Sequence, residues 1–198
     1  LASFSFHETK NIISGEGGML TINNGKFIER AEIIWEKGTN RSSFFRGEVN
    51  KYGWVDTGSS FLPSEIISTL LWEQMKNMEE NQQKRCDILN RYYEGLKGNP
   101  HFSLPEIPDF ATNNAHMFYL VFKNLEERTK VIKRLKENEI LAVFFFFSLH
   151  KSEFYHAKHD GRNLVYSDKF EDCLLRLPFY YELSETDQNR IISLINEN

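Results

Sequence analysis

The chain has 198 residues, 40% of them apolar and 26% charged, with a formal net charge of −4. That suits a folded body with a sizeable core and excludes a disordered or fibrous polypeptide. The Lys and Arg residues are scattered, without the basic stripe of a nucleic-acid footprint, and the longest apolar run, Ile140–Phe147, is far short of the roughly 20 residues of a membrane helix. Cys86 and Cys173 stand far apart in no metal or redox motif. This argues against zinc-finger, disulfide-scaffold and secreted readings and fits a reducing cytoplasm.

In chain order, Ala2–Phe6 alternates small and aromatic residues as a buried strand does. A Gly15–Gly18 turn leads to a second strand, Met19–Asn23, closed by Asn24-Gly25. Phe27, Ala31, Ile34 and Trp35 recur at helical spacing, and Gly38 stops that helix. From Thr39 to Phe61 no period is visible, and the stretch reads as a long ordered loop, a kind of segment that more often carries function than not. Pro63-Ser64-Glu65 starts an amphipathic helix running through Ile66, Ile67, Leu70, Leu71, Met75 and Met78 toward Gly98. Pro100, Pro105 and Pro108 mark the one linker-like stretch, so the sequence divides into 1–104 and 105–198. Beyond it come a strand over His116–Phe122, a helix over Glu126–Glu137, a strand over Ile140–Phe147, a His-rich loop over Ser148–Asn163 and a short helix over Lys169–Leu175. Ser184-Glu-Thr-Asp187 has the form of a capping box ahead of Ile191, Ile192 and Ile195. The pattern is α/β, with a second layer after about residue 105.

Several residues have the chemistry of a site, each beside a plainer reading. Lys10, just after the first strand, becomes a nucleophilic amine if it is desolvated; a lysine at a strand end is more usually a solvated charge. The Gly15–Gly18 run lacks dinucleotide or P-loop spacing and reads as a turn that lets backbone approach closely. His150, His156, His159 and Asp160 match no helical zinc spacing, and no metal is expected. Phe144–Phe147 reads as a core strand buried on both faces. Arg41 and Arg46, with aromatic neighbours, suit either a diphosphate clamp or a subunit contact.

The run Ser5-Phe-His-Glu-Thr-Lys-Asn11 followed by Gly15-Glu-Gly-Gly18 resembles the DegT/DnrJ/EryC1/StrS sugar aminotransferases, fold type I enzymes that use pyridoxal 5′-phosphate (PLP). The likeness continues through Glu36–Arg41, Phe44–Gly47, Lys51–Trp54, Gly58–Ser60, Asn114–Tyr119, Leu149-His150 and Leu175–Tyr180, and so covers essentially the whole chain. The combination is most similar to the branch that aminates dTDP-4-keto-6-deoxyglucose with glutamate as donor, for surface glycans such as enterobacterial common antigen and lipopolysaccharide. The resemblance implies that Lys10 carries the cofactor on its amine, that Ser5 donates to its phosphate, and that His7 supports them. It implies further that His150 faces the sugar, and that Arg41, Arg46 and Tyr52 lie where the nucleotide sugar meets a neighbouring subunit. The family's phosphate cup, ring-stacking aromatic and pyridinium-pairing acid lie upstream of residue 1. The expectation is therefore the end of the PLP-binding large domain plus the small C-terminal domain, in an association of two or more chains, with faces such as Ile66/Leu70 left exposed. Phe145-Phe-Phe-Ser148 stands where relatives have His-Tyr-x-Pro, which removes a polar pair from the sugar pocket, and Ser60 stands where many have Asn. A non-catalytic fragment or half-protein is the alternative to an aminotransferase, and a cofactor-free sugar-binding module is a third reading that leaves Lys10 without a role.

Overall fold

A computed structural model describes residues 1–197, which fall into two compact units, the first Leu1–Met78 and the second from Glu79 onward.

In the first unit, β1 (Ala2–Ser5) and β2 (Gly18–Thr21) form an antiparallel ribbon with Ala2 opposite Thr21 and Ser5 opposite Gly18. All of β1 is exposed, unlike the buried strand its composition suggests: a two-stranded ribbon has no second layer to cover it. Helix α1 (Ile28–Trp35) follows, and the aperiodic stretch after it contains a short helix, α2 (Arg41–Phe45). The rest of that stretch is ordered by backbone cross-links rather than by periodicity. Gly38 O accepts from the N–H groups of Val55 (2.9 Å) and Asp56 (3.1 Å), and Ser59 donates to Ile34 O (3.0 Å). Helix α3 (Glu65–Lys76) starts where Ser64 Oγ accepts from the Ile67 N–H at 3.3 Å.

The single helix expected over 64–98 is two. Asn77 separates α3 from α4 (Met78–Leu96), and its side-chain amide donates to Glu73 O at 3.1 Å, competing with the helical ladder. The first half of α4, up to Asp87, is mostly polar, but Ile88, Leu89, Tyr92 and Leu96 enter the core of the second unit. The helix therefore belongs to that unit, and the chain divides at 78/79 rather than at the prolines near residue 105.

The second unit is a four-stranded antiparallel sheet, order β3-β4-β6-β5, made of β3 (Phe102–Ser103), β4 (Tyr119–Phe122), β5 (Val143–Phe144) and β6 (Leu174–Arg176). Helices α5 (Leu125–Glu137), α6 (Glu153–His156), α7 (Val165–Cys173) and α8 (Glu185–Asn196) complete it. Its core joins Leu120 and Leu175 from the sheet to Leu135, Ile191 and Ile195 from the helices, with Tyr92 stacked on Phe118 at 5.0 Å. Gln188 is wholly buried yet satisfied, donating to Ile88 O (2.6 Å) and accepting from Arg91 (3.0 Å), which ties α8 to α4. The capping box at Ser184 forms, with Ser184 Oγ accepting from the Asp187 N–H at 3.0 Å.

Two expectations fail here. Of Ile140–Phe147 only Val143–Phe144 pairs in the sheet, and Phe144–Phe147 are exposed rather than core. β5 is an edge strand with a neighbour on one side only, so the chain leaves the sheet after Phe144 and its phenyl rings are not sandwiched. The helix expected over Lys169–Leu175 starts earlier, at Val165, and yields to β6 at Leu174.

Candidate functional site

Lys10 lies in a loop clamped at its base. Phe6, the one buried apolar residue of the first unit, donates its N–H to Gly17 O (2.9 Å) and accepts from the Ser14 N–H (2.8 Å). Glu8 donates to Gly15 O (3.0 Å) and Lys10 to His7 O (2.9 Å), so the lysine closes a turn held by local backbone bonds. Its ε-amine is exposed and makes no hydrogen bond or ion pair among the described residues.

Ser5 Oγ accepts from the His7 N–H at 3.4 Å, which leaves the hydroxyl hydrogen to donate elsewhere. His7 Nδ1 accepts from the Thr9 N–H (3.2 Å), which assigns the ring proton to Nε2, and Nε2 faces the Glu16 carboxylate at 3.7 Å. Residues 5–16 thus hold a hydroxyl donor, an unpaired amine and an imidazole oriented by its neighbours.

Arg41 and Arg46 are both engaged with carboxylates of the chain. Arg41 Nη1 pairs with the buried Glu36 carboxylate at 2.8 Å and lies over the Phe45 ring, 4.8 Å from its centroid. Arg46 makes a fork onto Glu48 (2.8 and 3.2 Å) and reaches Glu32 at 3.0 Å. Those carboxylates hold the Arg46 guanidinium still further into its charged form, and the Arg46 hydrogen bond in turn draws Glu48 below the ordinary carboxylate range. Tyr52 leans on Phe44, ring centroids 5.6 Å apart, and stays half-exposed.

His150, in the second unit, is mostly buried. Its Nε2 lies 3.0 Å from Asp168 Oδ1, and its ring packs on His159 at 5.2 Å. Lys151 reaches the same Asp168 (2.8 Å) and Glu171 (3.4 Å), while Glu171 accepts from the Ser148 N–H (2.9 Å). The Lys151 ammonium beside Asp168 lowers that carboxyl's pKa, with burial opposing and His150 assisting. His156 is exposed on α6, away from this pairing, and among the described residues no three His, Cys, Asp or Glu side chains are arranged to hold a metal ion. Glu36 and Asp168, which fix Arg41 and His150, were not legible as site residues. A carboxylate five or eighteen positions from its partner leaves no local pattern.

A lysine turn beside a β-ribbon, followed by a small antiparallel α/β unit, is the fold of the C-terminal half of a sugar aminotransferase of fold type I. DesV of S. venezuelae, solved with a ketimine intermediate, superposes with a TM-score of 0.86 at 21% identity over 98% of this chain and 50% of its own. The PLP form of a sugar aminotransferase from Streptococcus pneumoniae, Spr1654, gives 0.78 at 22% identity over 98% and 50%. The chain belongs to the DegT/DnrJ/EryC1/StrS aminotransferase family, whose pattern matches residues 1–196. The UDP-4-amino-4,6-dideoxy-N-acetyl-beta-L-altrosamine transaminase of Campylobacter jejuni is 24% identical over 94% of this chain and 49% of its own length. The chain spans about half the length of the curated relatives it matches. Among the described residues no helix is long and apolar enough to cross a membrane.

Proposed function

We propose that this chain is the lysine-bearing part of a PLP-dependent nucleotide-sugar aminotransferase. In this reading it acts on a dTDP-linked 4-keto-6-deoxy sugar, dTDP-4-keto-6-deoxyglucose, with glutamate as donor, in cytoplasmic synthesis of surface polysaccharide. The observation that carries it is the free ε-amine of Lys10 on a loop pinned at its base by backbone hydrogen bonds. The donor set fits the cofactor: Lys10 offers an amine to its aldehyde and Ser5 a hydroxyl hydrogen to its phosphate. When bound, PLP supplies the electron sink that lets an amino group move between carbon skeletons. Lys10 Nζ then moves the proton at Cα of the amino donor, and the bonds to Gly15 O and Gly17 O hold the backbone of the loop that carries it. His150, braced by Asp168, offers a fixed imidazole to the sugar.

The test is borohydride reduction in the presence of PLP, followed by peptide mapping. A pyridoxyl group on Lys10, lost in Lys10→Ala, is expected. Label spread evenly over surface lysines would refute the reading. A non-catalytic fragment is the second reading, favoured by the exposure of Lys10 and of the whole β1 ribbon. The apolar face of α3, with Ile66 83% and Trp72 61% exposed, supports association into a dimer or larger, which light scattering reads as a mass that rises with concentration.

A further inference from the structure

Nine of the ten arginines direct their guanidinium at a carboxylate or a carbonyl; Arg176 does not. Arg176 lies on β6, in the middle of the sheet, opposite Tyr119 of β4 on one side and Val143 of β5 on the other. Cross-strand partners share a face, so Tyr119, Arg176 and Val143 form a row on the face opposite the buried pair Leu120 and Leu175. The row is half-buried, and Arg176 Nε is fully buried without a hydrogen-bond partner. Two phenyl rings lie beside the guanidinium. Its Cζ lies 5.8 Å from the centroids of both Phe145 and Phe146, which meet edge to face at 5.6 Å.

A cation shielded from water on one side and left without an acceptor carries a desolvation cost that an oxyanion would relieve. A guanidinium fork fits phosphate in two bonds, and the exposed phenyl faces beside it accept a flat ring by stacking. The two together suit a ligand with an anionic phosphate on one end and a planar base on the other. Glutamate has the anion but nothing to place on the rings.

We propose that Arg176 with Phe145 and Phe146 forms a binding site for the nucleoside diphosphate portion of the nucleotide sugar, Arg176 taking the phosphate and the phenyl rings the base. The choice of a thymidine nucleotide rests on the proposed aminotransferase reading. Arg41 and Arg46, already paired with Glu36, Glu32 and Glu48, are then braces of the first unit rather than the diphosphate clamp.

The test is calorimetric titration of the full chain with dTDP, pyrophosphate and glutamate. The variants are Arg176→Gln, Phe146→Ala and Arg46→Gln, each checked for an unchanged circular dichroism spectrum. Expected are at least a 10-fold weaker dTDP affinity for Arg176→Gln and a several-fold loss for Phe146→Ala that spares pyrophosphate. Arg46→Gln is expected to bind dTDP like the parent. Should Phe146→Ala alter its fold, free thymidine as competitor gives the same reading of base stacking. Absence of dTDP binding, equal binding by Arg176→Gln, displacement of dTDP by glutamate, or pyrophosphate binding as tightly as dTDP would each overturn the proposal. PLP trapping at Lys10 needs no nucleotide. A negative titration with normal trapping therefore overturns this site alone, and a failed trapping with normal titration overturns only the aminotransferase reading.

Discussion

Replacing Gly38 by Ala should loosen the loop that carries Arg41, Arg46 and Tyr52, and the structure sets the size of the effect. Gly38 has φ +81°, and a Cβ there would lie 1.9 Å from Asp56 O and 3.1 Å from Gly58 N, both backbone atoms that cannot rotate away. The left-handed conformation costs an alanine about 1 kcal/mol. To make room, the 55–58 strand of the loop must withdraw by more than an ångström, which breaks the Val55 and Asp56 N–H bonds to Gly38 O at about 1 kcal/mol each. The sum is about 3 kcal/mol, concentrated where Glu36 pairs with Arg41. Because the chain has two units, a global melting curve would blur this loss. Limited trypsin digestion is the sharper assay, since Arg41, Arg46 and Lys51 lie in the affected segment. Gly38→Ala should be cut there at least 10-fold faster than the parent. Gly53→Ala, with open space around the new Cβ and no positive φ, should be cut at the parental rate. Equal cleavage of Gly38→Ala and the parent would refute the argument that this close approach holds the loop.

Three further outcomes are expected. Tyr92→Phe should destabilise the second unit by about 1–2 kcal/mol in urea unfolding, because the wholly buried hydroxyl donates to Pro178 O at 2.9 Å and its loss leaves that carbonyl unpaired. Burial also pushes the Tyr92 phenol well above its ordinary range, so its ultraviolet ionisation signal should be missing from an alkaline titration until the unit unfolds. Asp168 titrates below its ordinary 3.8 in the folded chain, chiefly through the Lys151 hydrogen bond. Its contribution to stability is therefore present above pH 3.8 and is lost as pH falls from there through the lower folded value, and Asp168→Asn should remove that part of the acid dependence. Denaturant midpoints of both proteins between pH 5 and pH 2 check this, and parallel curves would count against it.

Local signals were the readable ones. Ser64 and Ser184 announce helices because a cap is written within four residues, and the order of elements after Pro108 follows from alternating periods. Lys10 and Ser5 were singled out through the resemblance of residues 5–18, and on periodicity alone Lys10 is one positive charge among 24. What stayed hidden depends on distant partners. Phe144–Phe147 has the composition of a core strand, yet only the sheet order reveals that β5 is an edge. The α3–α4 break turns on one Asn side chain that competes for a backbone carbonyl. Arg41 and Arg46 read equally well as a diphosphate clamp or a subunit contact, and their pairing with Glu36 and with Glu32 and Glu48 left no signal in the sequence. Arg176 carried no signal of its own, because the absence of a partner is visible only in three dimensions.

The two units differ in what holds them, and that difference has a functional consequence. The second unit has an apolar core running from Ile88 to Ile195, while in the first Phe6 is the one buried apolar side chain, beside the polar Ser14, Glu36 and Thr39. Hydrogen bonds and ion pairs at a surface contribute little net stability, so the unit that presents Lys10 should open far more readily than the unit that carries His150 and Arg176. Native-state hydrogen exchange should show this as amides of β1, β2 and the 38–60 loop exchanging at least 100-fold faster than those of β4, β6 and α8. A ligand that engages Lys10 and Ser5 binds the closed form alone and should slow exchange in the first unit while leaving the second unchanged. Uniform protection across both units would mean that the first is held by something other than its own side chains, and self-association through the ribbon and α3 is the explanation to pursue, since dilution would then restore the difference.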